Sequence, residues 1–188
     1  MNYDQSHIKV VRQKLQMLLR TYEKELKVNS VQAEVGEIVI EQGQQADFVV
    51  LLKHGRLAVE FSNENEIPRQ IAKVVPGEII GEMGLFGDNR YSASIRVDQG
   101  PAELLFFDSN SLMKFALFDS ELVMAILALS SDRCRMSNHL VELLLSGLQA
   151  LSDRNKGRVE DICQNLEQES VAMKTASNQF RSLLKKLG

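Results

Sequence analysis

The apolar positions of the chain change their period twice. From Ser6 to Leu26, the residues Ile8, Val11, Leu15, Leu18 and Tyr22 recur at alternating intervals of three and four. That is the stripe of an amphipathic helix, which needs a partner for one face. Between Val28 and Phe107, β-branched and aromatic residues sit in short runs separated by Gly, Pro, Asn and Asp, which predicts strands and turns. Ile38 and Ile40 alternate with polar neighbours, Phe48 to Leu52 form an apolar run, and Leu57, Val59 and Phe61 share one face of a further strand. His54 and Gly55 predict a tight turn between the last two. The polar stretch from Ser62 to Arg69, which contains Pro68, predicts a hairpin tip before a strand at Ile71 to Val75.

Helical periodicity returns after Phe107. Asp108 and Ser109 are placed to cap a short helix, and Asp119 and Ser120 a longer one running through Leu145 or beyond. The polar run SDRNKG at 152–157 breaks that helix. Beyond it, Val159, Ile162, Leu166, Met173, Ala176, Phe180, Leu183 and Leu187 alternate at three and four, interrupted at Glu169. This pattern predicts either a coiled-coil segment or an amphipathic helix folded back on its own domain.

The fold class that follows is α+β, mainly β: an antiparallel β-roll or jelly roll flanked by an N-terminal helix and long C-terminal helices. The expected divisions are an amphipathic helix over 1–27, the roll over 28–118, a long helix over 119–151 and a helical heptad segment over 152–188. A chain of 188 residues supports one core with appendages rather than two large cores.

Composition narrows the function. Apolar residues at 44% and charged residues at 25% fit a soluble globular chain. A formal charge of -3, with no segment rich in Lys and Arg, argues against a nucleic-acid partner. No apolar run reaches the ~18 residues of a membrane span, and MNYDQSHIKVVRQKL lacks the uninterrupted apolar core of a signal peptide. The two cysteines, Cys134 and Cys163, have no His or Cys at ligand spacing, so a reducing, cytoplasmic setting is expected and no metal site. His7, His54 and His139 fall on three different elements, and Glu37, Glu41 and Asp47 read as turn and strand positions. No catalytic constellation emerges, and an enzyme is not expected.

One segment carries more specific chemistry. Pro76 to Val97, PGEIIGEMGLFGDNRYSASIRV, resembles the phosphate-binding cassette of the cyclic nucleotide-binding domain family. Upstream, VGEIVIEQGQQADFVVLLKHGRLAV is similar to the family's opening strands, with Gly36, Glu37, Gly43, Asp47 and Gly55 in their expected places. The resemblance implies a cytoplasmic regulatory protein that binds cAMP or cGMP in the roll, with no other cofactor. Its helices would relay occupancy to a protein partner, and the long helix would serve as hinge and dimerisation element together with the terminal heptads.

The resemblance also assigns the site: Gly81, Glu82, Met83, Arg90, Tyr91, Ser92 and Ala93 in the cassette, with Ser137 and Asn138 on the long helix facing the base. Backbone N–H groups after Gly81 would face the phosphate, Glu82 would accept the ribose hydroxyl, and Ser92 would hydrogen-bond the phosphate. The family's phosphate arginine would fall directly before Ser92, where this chain has Tyr91; Arg90 lies one residue early. Adjacent residues on an extended segment point to opposite faces, so Arg90 replaces the missing group only if the loop bulges by one residue. Tyr91 then either donates its hydroxyl to a phosphate oxygen or fills the nucleotide's space with its ring, leaving a ligand-free roll that acts as a dimeric interaction module. The helix-turn-helix of the family's transcription factors is not legible in 152–188, which is acidic through Asp153, Glu160, Asp161, Glu167 and Glu169.

Overall fold

A computed structural model describes residues 5–63, 67–169 and 171–187. The N-terminal stripe forms α1 (Gln5–Thr21), whose Ile8, Leu15, Leu18 and Leu19 are buried. Six strands follow: β1 (Asn29–Ala33), β2 (Ile38–Ile40), β3 (Phe48–Phe61), β4 (Arg69–Val74), β5 (Ile79–Ile80) and β6 (Ser94–Asp108). A single turn, α2 (Glu82–Leu85), sits between β5 and β6; α3 (Ser109–Ala116), α4 (Ser120–Ser152), α5 (Lys156–Glu169) and α6 (Val171–Leu187) complete the chain.

The strands make one antiparallel sheet in the order β1-β6-β3-β4, with β2 on β6 and β5 on β3. The long strands β3 and β6 are its spine. Their register changes around Leu52, His54, Arg56 and Leu57, so one ladder spans what the sequence divides in two. The turn expected at His54-Gly55 is therefore a bulge. Gly55 has φ 87, which relieves the strain a side chain would meet, and a Cβ there would lie 2.8 Å from the Gln99 carbonyl. The expected hairpin tip falls between β3 and β4, and its residues 64–66 lie outside those described.

The run Phe48 to Leu52 is apolar throughout because both faces of β3 are covered. Val50 and Leu52 point into the roll with Leu57, Ile80, Val97 and Leu104. Val49 and Leu51 point the other way, with Leu105 and Phe107, into a second core closed by α1, α3 and α4. Full burial of each such side chain is worth about 1.5–3 kcal/mol, so the helices are as much part of the fold as the strands.

Two aspartates start the helices as the sequence predicts. Asp108 accepts the Ser111 N–H at 2.8 Å, and Asp119 accepts those of Glu121 and Leu122 at 2.9 and 3.0 Å. Asp119 also takes the Tyr22 hydroxyl at 2.7 Å, tying the end of α1 to the start of α4.

The heptad-spaced terminal residues do not form one continuous helix. They are shared between α5 and α6, which run antiparallel: Arg181 pairs with Glu160 and Glu167, and Ser177 lies beside Cys163 and Glu167. Val159, Ile162, Leu166 and Phe180 are buried against Ala150 and Leu151 of α4. Of the two expected forms, the segment takes the one folded back on its own chain.

Asp119→Ala removes both the cap of α4 and the Tyr22 tie. It is expected to lower the unfolding free energy by about 0.5–2 kcal/mol, read from urea denaturation. The Tyr22 hydroxyl bond, followed by the capped N–H groups, holds the Asp119 carboxyl below its usual value. Its contribution should be present at neutral pH and disappear as pH falls through that depressed value.

Candidate functional site

The cassette is built where β5 ends. Ile79 enters the helical core and Ile80 the roll, and Gly81 turns the chain with φ 90 and ψ -8 into α2. A Cβ on Gly81 would lie 2.8 Å from the Phe48 carbonyl and 3.0 Å from Cε1 of Tyr91; one on Gly84 would lie 2.6 Å from Cβ of Ala46 and 2.7 Å from the Arg90 carbonyl. Both positions admit glycine because the cassette lies flat against the segment leading into β3.

The loop after α2 is zipped to residues 43–46 by backbone bonds. The Tyr91 N–H donates to Gln44 at 2.9 Å, the Gly43 N–H to Tyr91 at 2.8 Å, and the Ala46 N–H to Asn89 at 3.0 Å. Asn89 takes φ 61, and the Asp88 carboxylate accepts the Arg90 N–H at 3.1 Å. This fixes the register that decides which of Arg90 and Tyr91 faces inward. Arg90 points outward and donates to the Gly43 carbonyl at 2.7 Å, whereas Tyr91 points inward.

Tyr91 is 8% exposed and belongs to the apolar interior of the roll. Its hydroxyl donates to the Phe48 carbonyl at 2.8 Å and accepts the Phe48 N–H at 3.2 Å, so its polar tip is satisfied by strand β3. Burial raises its pKa, partly opposed by the bond to the Phe48 backbone, and the neighbouring Asp47 adds to the rise.

Glu82 is fully buried. Its Oε1 pairs with the guanidinium of Arg133 on α4, which also donates to the Ile79 carbonyl, while Oε2 has no hydrogen-bond partner among the described residues. The remaining assigned residues do not converge on it. Met83 and Ser92 are exposed and Ala93 is half-buried; Ser137 and Asn138 are exposed on α4, one turn beyond Arg133.

Arg133 was not among the residues that sequence reasoning selects. The available signal was a charged residue in the buried phase of α4, where Leu122, Ile126 and Leu129 precede it at intervals of three and four. Beside it, Asp132 is 8% exposed; its Oδ1 has no hydrogen bond among the described residues and lies 4.0 Å from the Arg135 guanidinium, and desolvation raises its pKa against the lowering influence of Arg135 and Arg133. Arg12, Glu78, Ile79, Leu129, Asp132 and Arg133 enclose a cavity of about 30 Å³. That is room for a water molecule or so, against roughly 300 Å³ or more for a typical small-molecule pocket. A larger open groove of about 460 Å³ is lined only by residues of α1.

Three comparisons place this arrangement among known proteins. Residues 30–117 match the family model described as the cyclic nucleotide-binding domain. A cyclic nucleotide-binding domain from Methylobacillus flagellatus aligns with a TM-score of 0.60 at 19% identity, covering 72% of this chain and 83% of that one. The Thermus thermophilus catabolite activator protein aligns with a TM-score of 0.59 at 18% identity over 93% of this chain and 80% of its own. The sensor domain of the transcriptional regulator DNR from Pseudomonas aeruginosa gives a TM-score of 0.55 at 21% identity over 68% and 90%. At these identities the structures establish the fold. No curated protein matches the chain significantly.

Two substitutions test the buried charges. Arg133→Met leaves the Glu82 carboxylate without a counter-charge and is expected to cost up to about 3–5 kcal/mol, less whatever water reaches the vacated position; adding Glu82→Gln should recover most of the loss in a double-mutant cycle. Asp132→Asn should stabilise the fold at neutral pH. The carboxyl's raised folded-state pKa means that its ionisation disfavours folding as pH rises, so the gain should shrink as pH is lowered toward 3.8.

Proposed function

Since residues 30–117 match the cyclic nucleotide-binding domain model, we propose that the protein is a regulatory interaction module whose cassette is closed by its own side chains and works without a cyclic nucleotide. The observation that carries this reading is Tyr91, which stands in place of a phosphate arginine and is packed into the roll with its hydroxyl on Phe48. A phosphodiester anion at this cassette would meet a phenol already engaged with the backbone, and the cation nearest in sequence, Arg90, is directed at Gly43.

Magnitudes favour closure. Displacing a buried ring of this size costs about 1.5–3 kcal/mol before any ligand contact forms. The missing charge-assisted bond withholds about as much again. Either deficit alone corresponds to roughly 10- to 150-fold in affinity. Glu82 meanwhile finds its cation within the chain: Arg133 couples the cassette to α4 without a ligand. In this reading the module acts as a dimer through its C-terminal helices and presents the assembled surface to a protein partner.

A second reading is a cyclic-nucleotide sensor, with cAMP or cGMP displacing Tyr91 and Arg133 and the shift of α4 relaying occupancy. It is favoured by the buried, unpartnered Oε2 of Glu82 beside a cassette turn with the geometry of Gly81. Calorimetric titration of cAMP and cGMP into full-length protein freed of ligand by unfolding and refolding separates the two. Closure predicts no saturable heat for the native sequence. Micromolar binding abolished by Glu82→Ala overturns closure and establishes the sensor; binding gained only by Tyr91→Arg identifies the tyrosine as the plug.

A further inference from the structure

The charge of the chain is small in total but uneven in place. Helix α1 holds four Lys and Arg and no Asp or Glu, in a chain with 22 of the first kind and 25 of the second. Two of the four are met by acids of the same chain: Arg12 pairs with Glu78, and Lys14 with Glu121 at 3.3 Å. Lys9 and Arg20 are exposed and form no ion pair among the described residues. On an α-helix these two fall within about 20° of one another and roughly 16 Å apart along the axis. Beside them run Val10 and Met17, 63% and 61% exposed, about two turns apart on the solvent face. Ile8, Leu15 and Leu19 occupy the opposite side and are buried, so the outer face is not the one that holds α1 to the rest of the chain.

We infer that the solvent face of α1 docks an acidic amphipathic helix of a protein partner, whose carboxylates meet Lys9 and Arg20 and whose apolar residues cover Val10 and Met17. The inference rests on the reading of this protein as an interaction module, and it names what the partner must present and where it lands.

Charge and apolar area together select this occupant. Because α1 carries no acid, an acidic helix meets no like charge on it. A second helix offers apolar side chains at a seven-residue repeat, the spacing of Val10 and Met17, with flanking charges that set the choice of partner. The open groove beside Met17, of about 460 Å³ and bounded by Gln13, Gln16, Arg20 and Thr21, receives a partner side chain, and its neutral amides add hydrogen bonds without further charge. A nucleic-acid duplex is a poorer fit, since binding of that kind neutralises about six to ten phosphates and α1 has two unpaired cations. A lipid surface is poorer too. It requires a broad apolar face to sink into the headgroup boundary, and α1 commits its broad stripe, Leu15, Leu18 and Leu19, to the core.

The probe is a synthetic helical peptide with Leu at a seven-residue repeat and Glu along both flanking edges, titrated into the isotope-labelled full chain and followed by nuclear magnetic resonance. Saturable shifts centred on the α1 amides of Val10 and Met17 are expected, with affinity falling as salt is raised. Lys9→Glu with Arg20→Glu should weaken binding by about tenfold or more, with the circular dichroism unchanged because both side chains are exposed. Met17→Gln should also weaken it while keeping the salt dependence, which separates the apolar contribution from the charged one. The same peptide with Lys in place of Glu should not bind. An absence of saturable shifts at about 1 mM peptide, shifts centred elsewhere, or indifference to the charge reversal overturns the inference. So does tighter binding of phosphatidylserine vesicles or a DNA duplex to this face than of the acidic peptide. None of these results bears on the closed cassette, which the nucleotide titration decides separately.

Discussion

The contact between the Tyr91 hydroxyl and both backbone polar groups of Phe48 decides what kind of roll this is. Phe48 begins β3, the strand that pairs with β4, β5 and β6. A side chain bonded to its N–H and carbonyl therefore ties the cassette loop to the spine of the sheet. Because that side chain is also apolar over most of its surface, the tie coincides with filling of the interior. Arginine at the same position would bring a charge that needs an anion; tyrosine brings a tip that the strand itself satisfies. The closeness of Gly81 and Gly84 to the segment Ala46–Phe48 and the outward turn of Arg90 are consistent with this one seating.

From the cassette the mechanical connection passes to α4. Arg133 reaches Glu82 and the Ile79 carbonyl, Arg12 of α1 pairs with Glu78, and Asp132 sits between them with an unsatisfied oxygen. Three carboxylates and two guanidiniums thus meet at the junction of α1, α4 and the cassette, and Asp132 is the least compensated, its Oδ1 lying 4.0 Å from the Arg135 guanidinium. Its desolvation makes the junction weaker than a fully paired one. Packing of Leu122, Ile126 and Leu129 into the helical core then supplies most of what holds α4 in place.

Much of this was legible in the residues. The α1 stripe, the caps at Asp108 and Asp119 and the opposite senses of Arg90 and Tyr91 follow from periodicities and local hydrogen-bonding rules that do not need the rest of the chain. The His54-Gly55 step was misread because a glycine with positive φ serves a tight turn and a bulge equally well. Only the unbroken partner strand β6, distant in sequence, distinguishes them. The terminal heptads were ambiguous for a related reason: a three-four pattern records that a face is buried but not by which chain, and the fold-back depends on the small Gly147 receiving Phe180. Ser137 and Asn138 were carried onto the site by family resemblance. The helix places them one turn past the residue, Arg133, that reaches it.

The role of Glu82 follows from the same geometry. A fully buried carboxylate without a counter-charge would cost several kcal/mol, and its presence in a cassette invites the conclusion that a ligand must compensate for it. Here Arg133 compensates through Oε1, and its second bond to the Ile79 carbonyl fixes the guanidinium between α4 and β5. The pair therefore has a structural purpose that does not depend on a nucleotide: it sets the height at which α4 crosses the cassette. That leaves the opposite face of α4, where Met124 and Leu127 are exposed, directed away from the roll. The residue whose type most suggests ligand binding thus also positions α4, and removing its charge would disturb that helix whether or not the roll ever holds a nucleotide.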